Sequence, residues 1–105
     1  MDNSSVSNAF LTFMKEAPEH SKAWMEAVQK LDKASKLDSK TEELAYIAVL
    51  AAVRLESGLQ FHVKHAKELG ATREEIISAV LVGLPAVGNI VTAELPVAIN
   101  AYDEA

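Results

Sequence analysis

At 105 residues, with no cysteine and a formal net charge of −5, the chain is sized for one domain. It has no disulfide or thiol chemistry of its own, and it lacks the cationic footprint that nucleic acid requires. Half of its residues are hydrophobic but only 6% are aromatic. This surplus of Ala, Val, Leu and Ile is more than a small monomer easily hides, and it points to a subunit interface.

The N-terminus, Met1-Asp2-Asn3-Ser4-Ser5-Val6, has neither the basic nor the apolar stretch of a signal peptide. Asn8 to Lys15 reads as a first helix, with Phe10, Leu11, Phe13 and Met14 as its apolar content, and Glu16-Ala17-Pro18 breaks it. Pro18 suits the first turn of a second helix reaching about Leu31, with Trp24, Val28 and Leu31 on one side. Phe10, Phe13, Met14 and Trp24 recur at helical spacing and are expected in the core. Lys30, Lys33 and Lys36 are interleaved with polar residues and read as a solvated helix end.

Ser39-Lys40-Thr41-Glu42 fits a capping box. The helix expected after it, Leu44 to Leu55, is apolar nearly all round and should be buried on several sides, in the fold or at an interface. Ser57-x-x-Gln60 is a second capping candidate, with Gly58 as a flexible point, and opens a helix through Leu69 that stops at Gly70. Thr72-Arg73-Glu74-Glu75 caps a fifth helix through about Leu84. Pro85 and Gly88 mark a break before a last helix, Asn89 to Tyr102, with Pro96 as a kink site. The apolar run 76–91 is interrupted by Ser78, Gly83, Pro85, Gly88 and Asn89, short of the roughly 20 clean residues of a membrane span. The expectation is an all-α single domain over residues 1–105, of five to six helices, cytoplasmic, with no membrane and no nucleic-acid partner.

Chemistry concentrates on Ser57-Gly58-Leu59-Gln60-Phe61-His62-Val63-Lys64-His65. His62 and His65, three apart, share one helix face, while Phe61 and Val63 point elsewhere. The pair reads either as a general acid/base or ligand pair, or as one interior and one surface histidine. A metal site would need a third ligand, and the strong helical zinc pattern spaces its histidines by four. Neither a metal nor a cofactor is expected. The four glycines are too scattered for a phosphate loop, and no serine lies in a nucleophile elbow. Glu42 and Glu43 lie at a helix start, where the helix dipole favours carboxylates.

The segment from Glu43 through His62, Ala66, Gly70 and Thr72-Arg73-Glu74-Glu75-Ile76 resembles the carboxymuconolactone decarboxylase family, which includes the alkyl-hydroperoxidase-D-like proteins. In that family a histidine is followed four residues later by a small residue and eight later by Gly, ahead of a Gly-Ala/Val-Thr-x-x-Glu-Ile-like helix start. The hydroperoxidase branch adds a glutamate nineteen residues before the histidine, met here by Glu43. Its two cysteine positions fall on Leu55 and Gly58, so the resemblance implies that thiol peroxidase activity is lost.

What the resemblance implies is an alkyl-hydroperoxidase-D-like helical fold assembled as a homotrimer or homohexamer. It implies decarboxylase-like acid/base chemistry at His62 on a small carboxylated, lactone-type substrate, with Glu43 as catalytic partner. Arg54, Lys64 and His65 are candidates to hold the substrate carboxylate. The alternative is a non-catalytic oligomeric binding or scaffold protein that kept the fold after losing the cysteines. In a hairpin turning at Ser57, Glu43 lies about 21 Å before the turn and His62 about 8 Å after it. The two then meet only if the helices cross steeply or a neighbouring subunit supplies one of them.

Overall fold

The computed structural model describes residues 7–105, and within them it is helical with no strand. The described residues gather into two compact units that divide between Leu37 and Asp38. In the first unit, α1 (Asn8–Glu16) starts where the Ser7 hydroxyl accepts the Phe10 amide at 3.1 Å. α2 (Pro18–Ala34) starts on Pro18, whose fixed φ and missing N–H suit a first helical turn. The two helices pair with each other, but no hydrophobic residue of α1 or α2 is buried. The expected core positions Trp24 and Met14 are 55% and 41% exposed. Their helical spacing marks an apolar face, and here that face is open.

The second unit holds the hydrophobic core. α3 (Ser39–Val53) is capped by Asp38, one residue before the expected cap, and the Asp38 carboxylate accepts the Thr41 amide at 2.9 Å. The four groups Thr41 N–H, Thr41 O–H, Lys40 N–H and its own amide hold the Asp38 carboxyl below the ordinary carboxylate range, the Thr41 amide most strongly. Ile47, Leu50 and Ala51 form the buried stripe of α3 at i, i+3, i+4 spacing. The opposite row, Tyr46, Val49 and Val53, is 48–60% exposed. Within one chain, α3 is therefore buried on one side.

α4 (Glu56–Glu68) begins right after α3, with Leu55 before its first residue and no side-chain cap. Ser57 and Gly58 thus lie inside its first turn and are neither a cap nor a flexible joint. The space where Gly58 lacks a Cβ is filled by Leu50, whose Cδ2 would sit 3.3 Å from one. Leu59, Val63 and Ala66 form the buried face of α4. Removing a side chain such as Leu59 by substitution with Ala should cost about 2–5 kcal/mol. At its far end the Ala71 amide reaches the Ala66 carbonyl and the Gly70 amide the Lys67 carbonyl, both at 3.0 Å. That is the Schellman pattern, closed by Gly70 at φ 94, where glycine has no Cβ to clash.

α5 (Arg73–Val80) opens on a complete capping box: the Thr72 hydroxyl accepts the Glu75 amide and the Glu75 carboxylate accepts the Thr72 amide. It ends at Val80, short of Leu84, and passes into a 3-10 turn (Leu81–Gly83), α6 (Leu84–Val87) and a second 3-10 stretch (Gly88–Glu94). Gly88, at φ 77 and ψ −165, has a conformation essentially reserved for glycine and ends α6. α7 (Leu95–Glu104) then starts with Pro96 in its first turn, so that proline opens a helix and does not kink one. By length and composition alone, the stretch Arg73–Glu104 is apolar enough to cross a membrane. In the fold it is no straight rod, because α5 and α7 pack against each other.

α3 packs on α4 and α5, and α4 and α5 pack on α7. Fully buried Ile47, Leu59, Val63, Ile76 and Val80 come from α3, α4 and α5. Each such side chain contributes about 1.5–3 kcal/mol of burial. The Tyr102 hydroxyl donates to the Ala71 carbonyl at 2.9 Å and ties α7 to the end of α4.

Candidate active site

The α3–α4 reversal decides what Glu43 can reach. Arg54 closes α3 in the left-handed region (φ 61, ψ 40), with its amide on the Ala51 carbonyl and the Leu55 amide on the Leu50 carbonyl. Placed at residues 54–55, the reversal leaves Glu43 about 17 Å before it, His62 about 11 Å after it and His65 about 16 Å after it. The carboxylate is then nearly level with His65 and about one helical turn from His62, within reach of a glutamate side chain. The apparent obstacle to their meeting came from placing the turn three residues too late.

Within one chain, His62 Nδ1 lies 2.7 Å from Glu43 Oε2. His65 Nδ1 lies 3.3 Å from Glu43 Oε1. One carboxylate thus spans two imidazoles a helical turn apart. Its side chain is 14% exposed, against 23% for His62 and 41% for His65. Burial pushes the Glu43 carboxyl up, but the hydrogen bond and charge of His62, followed by those of His65, outweigh burial and leave it below its usual value. An ionised carboxylate can only accept, so the Nδ1 atoms facing it donate and each Nε2 is turned to other partners.

Two rings that the spacing did not single out complete the site. The Tyr46 ring lies 4.3 Å from that of His62 at 34°, and Phe61 meets His62 edge-on at 5.2 Å and 72°. Phe61, expected to point elsewhere, is therefore part of the wall. Tyr46 follows Glu43 by three residues on α3, and that helical spacing was the signal available for finding it.

The other predicted residues divide. His65 joins the site. Lys64 lies on α4 and is partly buried. Arg54 is at the opposite end of α3 from Glu43, where its Nε meets Glu94 Oε1 at 3.3 Å. Its side chain lies on Glu94 and not beside the histidine pair. The chain reversal points Arg54 toward the 3-10 stretch ahead of α7. No group of three or more metal-ligating side chains occurs among the described residues. A hollow of about 450 Å³ in the first unit is lined by Phe13, His20, Ala23 and Trp24. It is wide open and brings no second ionisable group to His20, so the convergent site is the one between α3 and α4.

Fold and site together define an all-helical protein with a half-buried carboxylate–imidazole pair held between two adjacent helices. Residues 18–99 match the carboxymuconolactone decarboxylase family, and the chain belongs to that family. No curated protein and no solved structure matches it.

Proposed function

We propose that the protein carries out acid/base chemistry on a small carboxylated, lactone-type molecule, with His62 as the proton-transferring group. The observation that carries this reading is the 2.7 Å contact between His62 and Glu43. Glu43 orients the ring through Nδ1 and stabilises the positive charge that appears when Nε2 takes a proton. In a decarboxylation, the carbon–carbon bond to the leaving carboxylate breaks as carbon dioxide departs. Its electron pair moves into the unsaturated lactone, and the resulting carbanion takes a proton from His62 Nε2. His65, joined to the same carboxylate, is a group able to face the substrate's negative charge. Tyr46 and Phe61 offer ring faces to a flat, unsaturated substrate.

Family membership and the absence of cysteine support lactone-type over thiol-peroxidase chemistry. The exposed row Tyr46, Val49 and Val53 supports a homo-oligomer, because it begins on the residue that stacks on His62. A neighbouring copy seated on that row would also shield the site from water.

The test is turnover of a panel of carboxylated lactones by wild type and His62→Ala, with light scattering to follow assembly. Wild-type activity reduced by about 10²–10⁴-fold in the variant is the expected result. Equal activity in both would sink the assignment of His62. An inert wild type that retains a bound small molecule would favour a binding protein instead.

A further inference from the structure

We propose that Glu94 is a positioning residue for the Glu43–His62 pair, acting through Arg54 on the reversal that sets the register of α3 and α4. Three observations at the far end of α3 converge on this. Arg54 is the only non-glycine residue with positive φ among the described residues. Glu94 is fully buried, one of its oxygens meets Arg54 Nε at 3.3 Å, and the other has no hydrogen-bond partner. Arg54 itself is half exposed, so its side chain lies on Glu94 although solvent is open to it.

A left-handed position is easiest for glycine. An arginine holds it here while bonding a carboxylate forty residues away. Without that charge, Glu94 would be an uncompensated buried anion. The bridge therefore ties the residue that closes α3 to the stretch leading into α7, at the point where the chain turns into α4.

The register of that turn governs the site. Glu43 and Arg54 sit on one rigid helix, and α4 begins two residues after Arg54. A slip of one residue would shift α3 by about 1.5 Å and rotate the faces of α4 by about 100°, enough to part a 2.7 Å contact. Glu94 bonds to neither His62 nor Glu43, and its bond to Arg54 Nε is the one that reaches this turn. This reading concerns geometry and holds whether or not the lactone chemistry is correct.

The experiment follows the His62 Nδ1–H signal, and its exchange with water, by NMR on ¹⁵N-histidine protein, and it needs no substrate. Glu94→Ala should speed exchange by about tenfold, the scale of one lost charge-assisted hydrogen bond. Arg54→Gly adopts the turn without strain, so the His62 signal should stay at its wild-type position even though the orphaned Glu94 lowers global stability. Adding Glu94→Ala to Arg54→Gly should then leave that signal where it is while recovering part of the lost stability. If Glu94→Ala leaves exchange unaltered, or acts equally in both backgrounds, the proposal is overturned. Should circular dichroism show Glu94→Ala unfolded, Glu94→Gln keeps the volume and one acceptor oxygen. The same two-background comparison then decides.

Discussion

The two ends of α3 each carry a carboxylate contact, and they solve the problem of a buried charge differently. At the first end, Glu43 keeps a little solvent exposure and both of its oxygens meet imidazoles. At the second, Glu94 is fully enclosed, one oxygen meets Arg54 and the other meets nothing. A carboxylate with every oxygen used and partners that can exchange protons suits chemistry. A carboxylate enclosed in the fold and held by a guanidinium from another element suits fixing a shape, because the planar fork ties two distant segments together.

The largest effect should come from breaking the second end. Arg54→Ala leaves Glu94 buried without its counter-charge and removes the bridge at the left-handed turn, so unfolding in urea should show a loss of about 2–3 kcal/mol. A loss under about 0.5 kcal/mol, typical of a surface site, would show that the bridge does not hold the fold. At the first end, Glu43→Gln should cost about 1–2 kcal/mol at neutral pH, since the imidazoles keep a weaker acceptor.

The pH dependence gives this contrast a sign. The folded Glu43 carboxyl lies below its usual value, so the unfolded chain binds a proton there at a higher pH than the folded chain does. Its contribution is complete above the ordinary carboxylate range and fades as pH falls through the folded value. The stability gap between wild type and Glu43→Gln should therefore narrow on acidification, and a gap that widened would contradict the assigned contacts.

Gly70→Ala isolates a purely backbone effect. Its φ is 94 and no atom lies within 4 Å of an added Cβ, so a loss of about 1 kcal/mol is expected from conformation alone. The smallest expected change is Tyr46→Leu, about 0.5–1 kcal/mol from the lost ring pair. Its thermal shift should be slight, while the His62 ring signals should move clearly.

Much of this could be read along the chain. The Thr72–Glu75 capping box and the Gly70 stop are local, and each needs only a turn of helix to form. Glu43 and His62 were named as partners from their nineteen-residue spacing within the resemblance, and the structure brings them into contact. The expectation failed where a boundary moved by a few residues. Starting α4 at Ser57 and not at Glu56, after a turn at Arg54, made that contact look out of reach. Trp24 fits a helical apolar face as well as any core residue, yet spacing cannot say whether a second surface covers it.

By itself, the sequence determined the helical class, the helix stops and the face shared by His62 and His65, because caps and periodicity act over one or two turns. Only the tertiary structure decided that both imidazoles share one carboxylate, that Tyr46 stacks on His62, and that Arg54 answers Glu94. Those pairings join residues on different helices, and they follow from where the chain reverses and how the helices pack.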